Sequence, residues 1–399
     1  MRISKFFFDH QDPVDVIIPD KVHIMDNQQE STARRLGAGH RVFHGCAGSG
    51  KSLLLIHRAR KLAHAQPDKP ILVLCFNKSL AAFLKAQLQH PKIHVYHYHG
   101  WCIAMRDLYG LYVSNDAKEG SYPERLTQAI DKSIVNGKLP KGQYSAVLID
   151  EGHDFAEDWL RTAVSQAEGK DGQDQNFLLL YDDAQSIYDN RTSGLNFSLK
   201  SVDIAAQGRS VIFSKNYRNS QEILQYAANF LTHYVQAHSA DEDSIPLIIP
   251  KSIGIETNLP PVFKYFSSRA AEMQAIIEDI QNWQQQGVPF GNIALLCNST
   301  RYGRSLISKL RAHNITIQDL IESDNRLDYH KDENALTVCT MHSSKGLEFE
   351  RVIIAEIDGL KTSEDERAKS ARLLYVAMTR AKTHLILTAA KETSFTQTL

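Results

Sequence analysis

Gly45-Cys46-Ala47-Gly48-Ser49-Gly50-Lys51-Ser52 decides how this chain is read. It has the form G-x-x-x-x-G-K-[ST], follows the apolar run Arg41–His44 and opens the helix-like stretch Leu53–Leu62. A strand, a glycine-rich loop and a helix in that order make a phosphate cradle. The glycines let backbone N–H groups turn inward, and the helix N-terminus adds a favourable dipole. In such a loop Gly45, Cys46, Ala47, Gly48, Ser49 and Gly50 wrap the phosphates of ATP. Lys51 reaches the β- and γ-phosphates, and Ser52 coordinates Mg2+.

Working outward, Val147-Leu148-Ile149-Asp150-Glu151 is an apolar strand that ends in two acids. An α/β sheet places its ligands at the C-terminal ends of its strands, so this is a second half for the same site. Asp150 is expected to hold Mg2+ through water, and Glu151 to orient and deprotonate the attacking water. Taken alone, the pair reads equally well as two solvated acids on a surface turn.

Short apolar runs recur along the chain at Ile71–Cys75, His94–Tyr98, Phe177–Tyr181, Val211–Phe213, Val262–Phe266, Ile293–Cys297, Leu336–Thr340, Val352–Ala355 and His384–Leu387. Helix-like stretches such as Ser79–Gln89, Ser220–Val235 and Arg269–Gln286 separate them. That rhythm predicts an α/β fold of parallel sheets with helices on both faces. A length of 399 residues exceeds what one core usually holds. Two domains are expected, 1–200 and 201–399, with a break near Asn196–Gln207, a small insertion at about 101–145, and loops at Ala237–Ser244 and Asp319–Asn334.

Composition sets bounds. The chain is 43% apolar and 23% charged with a net charge of −1, which argues against a surface that grips nucleic acid all over but permits a local basic groove. No stretch of about 18 apolar residues predicts a membrane span, and the short apolar run in the first ten residues is no signal peptide, so the cytoplasm is the default. Cys46, Cys75, Cys102, Cys297 and Cys339 form no C-x-x-C pair and lie in apolar surroundings, as buried reduced thiols do. His94, His97 and His99 invite a metal reading, with His97 and His99 on one strand face. No acid or cysteine lies beside them, and packing fits better.

The motifs then line up with a family. Asp26-Asn27-Gln28, Phe76-Asn77-Lys78, His97-Tyr98-His99-Gly100, Asp150-Glu151-Gly152-His153-Asp154-Phe155, Tyr181-Asp182-Asp183-Ala184-Gln185-Ser186-Ile187-Tyr188, Asn216-Tyr217-Arg218-Asn219, Glu272, Thr340 through Phe349 and Tyr375 through Ala381 occur in the order found in the UvrD/Rep-like superfamily 1 (SF1A) DNA helicases, which the chain resembles from about Gln28 to Lys382. The resemblance implies two RecA-like P-loop NTPase domains with minimal insertions, forming an ATP hydrolase that moves 3′ to 5′ on single-stranded DNA. Gln28 would read adenine, Tyr217 would stack on it, Glu348 beside Gly346 would accept a hydrogen bond from the ribose, and Gln185 would sense the γ-phosphate. Arg218 and Arg380 would reach across from the second domain and stabilise charge on the transferred phosphoryl. On residue type alone, Arg218 reads as a surface ion-pair residue and Tyr217 as a core aromatic. Phe76, Asn77, Lys78, Tyr98, His99, Tyr188, Thr340 and His342 are the candidates for the strand track, where stacking is sequence-tolerant.

Departures from the family pattern narrow the reading. Leu53 stands where the family often has an arginine at adenine, Asn190 where it usually has a stacking tryptophan, Tyr181 for a glycine and His153 for a glutamine. Lys369 and Ser370 replace an acidic pair before Arg372. The large insertions of longer members are absent, which suggests a stripped motor. It resembles the compact motor of nuclease-related-domain helicases, without room for that nuclease domain ahead of the motifs. DNA is the expected partner and RNA stays open. A second reading is an ATPase subunit that acts in a complex, with a separately encoded nuclease or repair protein as partner.

Overall fold

The computed structural model describes residues 37–182, 198–234, 251–252, 257–322 and 332–399, apart from single positions 47, 66, 117, 119, 171, 173 and 214. The first sheet holds six strands: β1 (His40–Gly45), β2 (Ile71–Cys75), β3 (Ile93–His97), β4 (Ala146–Ile149), β5 (Asn176–Asp182) and β6 (Ser210–Phe213). Their spatial order is β3-β2-β4-β5-β1-β6, and every neighbouring pair is parallel. Parallel strands need crossover helices, and here they are α1 (Lys51–His64), α2 (Lys78–Gln87), α3 (Tyr98–Tyr109), α4 (Tyr122–Val135) and α5 (Glu157–Ser165).

Alternation along each strand divides the core in two. Leu72 and Leu74 of β2 pack with Trp101, Ile130 and Leu160 from α3, α4 and α5. Their neighbours Ile71, Val73 and Cys75 pack on the other face with Leu54, Leu55, Leu80 and Leu84 from α1 and α2. A strand covered on both faces must be apolar throughout, which is why β2 reads as an unbroken Ile-Leu-Val-Leu-Cys run.

The second half repeats this plan. After the short parallel pair β7 (Lys215–Asn216) and β8 (Lys251–Ser252), six strands follow: β9 (Val262–Tyr265), β10 (Ile293–Cys297), β11 (Ile317–Asp319), β12 (Leu336–Thr340), β13 (Phe349–Ala355) and β14 (Ala381–Ala389). They form a parallel sheet in the order β11-β12-β10-β13-β14-β9. Helices α6 (Gln221–Tyr234) and α9 (Glu364–Met378) cover one face, and α7 (Arg269–Gln285) and α8 (Thr300–Ala312) the other. The expected α/β architecture with helices on both faces is what the chain adopts.

Three boundaries differ from expectation. Strand β6 belongs to the first sheet, pairing with β1 from Val42↔Ser210 to Gly45↔Phe213, so a division at residue 200 cuts off an edge strand. The insertion at about 101–145 is mainly α3 and α4, which pack on the first sheet. Tyr98 is not the end of a strand. The His97 side chain accepts a hydrogen bond from Gly100 N–H at 3.2 Å and caps α3, so helix begins at Tyr98 and His99 shares no strand face with His97. All five cysteines are buried and free. Among the described residues no helix is long and apolar enough to cross a membrane.

Candidate functional site

The C-terminal edge of the first sheet gathers the chemistry. Strand β1 runs into the phosphate loop, β4 into Asp150 and Glu151, and β5 into Asp182. Backbone form makes glycine necessary at two points. A Cβ on Gly45 (φ 146°) would lie 2.0 Å from the Phe213 carbonyl oxygen, and one on Gly48 (φ 73°) would lie 2.8 Å from the Arg218 Cβ and Asn216 Nδ2. The second contact brings the phosphate loop and the Asn216–Asn219 segment together. Tyr217 N–H donates to the Gly48 carbonyl at 3.0 Å.

Lys51 is 7% exposed. Its ammonium donates to the carbonyls of Gly45 at 3.2 Å and Cys46 at 2.8 Å and to Ser49 Oγ at 3.2 Å, and it pairs with Asp182. Burial pushes the ammonium down, but Asp182, with help from Cys46 and Glu151, outweighs it and holds Lys51 above its usual range. Asp182 is the mirror case: burial pushes it up, and Lys51, His153 and Arg380 bring it below the ordinary carboxylate range. The sequence reading missed Asp182 as a partner of Lys51. Its place in the Tyr-Asp-Asp stretch was the available signal.

Asp150 is 2% exposed, and burial followed by the neighbouring Glu151 pushes its carboxyl up to about 7. Its Oδ1 accepts from Glu151 N–H at 3.0 Å, and the nearby Ser52 hydroxyl favours the ionised form. Its Oδ2 is buried without a hydrogen-bond partner. An orphaned carboxylate oxygen beside a hydroxyl at the mouth of a phosphate loop fits a hard divalent cation such as Mg2+. Glu151 is also raised, by burial first and then by Asp182. It stands at φ 53°, and His153 Nε2 lies 3.4 Å from its Oε2. His153 Nδ1 accepts from Asp182 N–H at 3.3 Å, so the histidine ties the two acidic strand ends together.

The second sheet supplies the arginines. Arg380, 2% exposed, is held by donations to the Val376 carbonyl (2.9 Å), the Leu347 carbonyl (3.3 Å) and Thr379 Oγ1 (3.3 Å). Burial, then Arg218, lowers it to about 10, while Glu151, Asp182 and Glu348 pull upward. Arg380 therefore lies within electrostatic reach of the acids on the first sheet, and Arg218 lies close enough to Arg380 to lower it. Arg218 Nε donates to Glu348 Oε2 at 2.8 Å, and Lys382 holds the other oxygen at 2.7 Å. Glu348, expected at the ribose, here orients Arg218. Asn219 binds the segment to the second sheet through the carbonyls of Thr379 (2.9 Å) and Ala381 (2.6 Å). Gly346, expected at the nucleotide, faces Leu80 of α2. Glu272 is fully buried and accepts from Arg269 (2.7 Å), Thr388 (2.7 Å) and the Glu356 amide (3.2 Å), a structural hub of the second sheet.

The strand-track candidates divide. Phe76 is 40% exposed at the end of β2, with Lys78 half-buried beside it and His99 near. The Asn77 carboxamide oxygen caps α2 by accepting from the amides of Ser79 (2.8 Å) and Leu80 (3.2 Å). His342 is exposed. Two expectations are corrected. Tyr98 is fully buried, against Trp159, Phe155 and Trp101, because the helix start turns it inward. Thr340 is buried, and its hydroxyl is shared with Ser343 at 2.9 Å. Gln28, Ala47, Gln185 and Tyr188 lie outside the described residues.

Comparisons with known proteins agree with the motif reading. Residues 211–322 and 335–388 each match a family model described as a UvrD-like helicase C-terminal domain. A probable DNA helicase of Mycoplasma pneumoniae is 27% identical over 231 residues, 55% of this chain and 39% of that protein. The putative ATP-dependent DNA helicase YjcD of Bacillus subtilis is 47% identical over 68 residues, 14% of this chain and 9% of that protein. The RecBCD enzyme subunit RecB of Chlamydia muridarum is 37% identical over 78 residues, 19% of this chain and 7% of that protein. The chain thus spans 39% or less of the length of these relatives. A solved C-terminal domain of a possible DNA helicase from Lactobacillus plantarum covers 45% of this chain and 91% of its own, at 19% identity and a TM-score of 0.31. The two C-terminal matches and the helicase relatives identify this chain as a relative of the UvrD/Rep-like superfamily 1 helicases.

Proposed function

We propose that the chain is an ATP-driven DNA helicase or translocase that moves 3′ to 5′ on single-stranded DNA, with Mg-ATP hydrolysed between its two sheets. The observation that carries this reading is the direct bond from Tyr217 N–H to the Gly48 carbonyl, with Arg218 beside it. The phosphate loop of one sheet and the arginines of the other make one site, so a bound nucleotide touches both halves and its turnover changes how they fit. Coupling of that kind is how hydrolysis becomes motion.

Each residue then has a task. Lys51 exchanges Asp182 for the β- and γ-phosphates, and the loop amides take the remaining oxygens. Ser52 and Asp150 hold Mg2+, which shields phosphate charge when bound. Glu151, a carboxyl raised above its usual range and so a stronger base, orients the attacking water and takes its proton. Arg218 and Arg380 stabilise charge that grows on the phosphoryl group, an effect worth about 10³–10⁵ in rate where one arginine has been tested. Tyr217 stacks on adenine.

The experiment is ATP hydrolysis by the purified chain with no nucleic acid, with single-stranded DNA and with single-stranded RNA. Stimulation by DNA supports the motor reading, and a strand-displacement assay with 3′- and 5′-tailed duplexes then reads direction. Absence of hydrolysis under all three conditions sinks it.

A further inference from the structure

Three stacked rings, braced by a fourth, form a column from the core of the first sheet to its C-terminal edge. Tyr98, fully buried, is anchored against Phe155 at 5.5 Å and Trp101 at 6.0 Å. Trp159, half-buried on α5, lies nearly parallel to Tyr98, with centroids 4.9 Å apart at 18°. It is also nearly parallel to Phe76, at 5.9 Å and 19°. His99 braces the join edge-on, 4.9 Å from Trp159 and 6.1 Å from Phe76. Phe76 is the exposed end of the column.

A single exposed phenylalanine is ordinary. What distinguishes this one is that its ring is already oriented by neighbours, whereas a free side chain must be ordered when a ligand stacks on it. Lys78 follows two residues later, and burial together with that lysine holds the His99 imidazole below its usual range. An aromatic face with a nearby ammonium suits a nucleobase and its phosphate. Trp159 is the one ring common to both near-parallel pairs, so it carries the core's rigidity to Phe76.

We propose that Trp159 is a positioning residue for single-strand binding: it holds the Phe76 ring as a fixed platform for a base. This rests on the function proposed above. The test is a titration of the purified chain with fluorescein-labelled oligothymidylate for wild type, Trp159→Ala, Trp159→Phe, Phe76→Ala and the Phe76→Ala/Trp159→Ala double variant. Stacking contributions of the usual size make Trp159→Ala about tenfold weaker, with Trp159→Phe near wild type. In the Phe76→Ala background the tryptophan substitution should add less than about twofold, because the ring it supports is gone. A merely structural tryptophan would weaken binding equally in both backgrounds. That outcome, or wild-type affinity in Trp159→Ala, overturns the proposal. If wild type itself fails to bind, the function proposed above falls first and this inference with it.

Discussion

Lys345 Nζ and Asp154 Oδ1 lie 2.6 Å apart, joining the loop after β12 on the second sheet to the acidic loop after β4 on the first. Asp154 is three residues beyond Glu151, and Gly346, next to Lys345, takes φ 76° where a Cβ would press on Leu80 of α2. Charge and close packing thus seat the same loop on the domain that holds the phosphate loop. Both partners are mostly shielded from solvent, so screening is modest and the pair contributes to how the halves meet.

If that contact transmits closure, Lys345→Ala and Asp154→Ala should each lower DNA-stimulated hydrolysis severalfold. A double-mutant cycle should give a coupling of about 0.5–3 kcal/mol, the range for directly interacting residues. Steady-state rates for the four proteins decide it, and strictly additive losses would reduce the pair to two independent surface groups.

Lys51 and Asp182 make the next case. Lys51→Ala removes the cation that reaches phosphate and should abolish turnover. It also strands a buried carboxylate, which costs about 3–5 kcal/mol when one partner of a buried pair is deleted. The Lys51→Ala/Asp182→Asn double variant should recover much of the lost stability in thermal melts and none of the activity. Equal melting temperatures for the single and double variants would show that Asp182 is satisfied by other groups.

How much of this was legible in the sequence follows from where the information sits. The phosphate loop and Asp150-Glu151 are contiguous, and strands buried on both faces leave apolar runs, so β2, β10 and β12 were read to the residue. Tyr98 was misread because alternation and helical turning diverge only past a boundary. That boundary is set by the His97 ring accepting one backbone hydrogen bond, which no periodicity reveals. For Glu348 and Gly346 the motifs carried identity and not partners. Their contacts, Arg218, Lys382 and Leu80, depend on how distant segments meet. Trp159 gave no signal, since a lone tryptophan on an amphipathic helix looks like any core residue until the rings it meets are known.

Arg218 tests the cross-sheet assignment most directly. Its Nε is held by Glu348, which Lys382 shares, so its geometry is set before any nucleotide arrives. Arg218→Ala should cut turnover by about 10³ or more while nucleotide still binds, as for an arginine that acts chiefly on transferring charge. Glu348→Gln keeps the shape but weakens the hold, so it should reduce turnover less. Single-turnover hydrolysis alongside nucleotide binding separates the two effects. Normal hydrolysis by Arg218→Ala would place the phosphoryl group elsewhere.

Asp150 links pH, metal and stability. Its carboxyl is raised to about 7 by burial and Glu151, against roughly 3.9 when unfolded. The folded state therefore binds this proton more tightly than the unfolded chain between about pH 4 and 7, and stability contributed by the group is lost as pH rises through that window. At pH 8 without metal, the charge is buried with Oδ2 unpartnered. Asp150→Asn removes the charge and should melt higher than wild type at pH 8, by about 2–4 °C for each kcal/mol relieved in a chain of this class, and lose the advantage near pH 5. Added Mg2+ should raise the melting temperature of wild type at pH 8 and leave Asp150→Asn largely unmoved, because binding to the folded state alone stabilises it. Thermal melts at the two pH values, with and without Mg2+, give all four comparisons. An Asp150→Asn variant that gains equally from Mg2+ would move the metal away from Asp150.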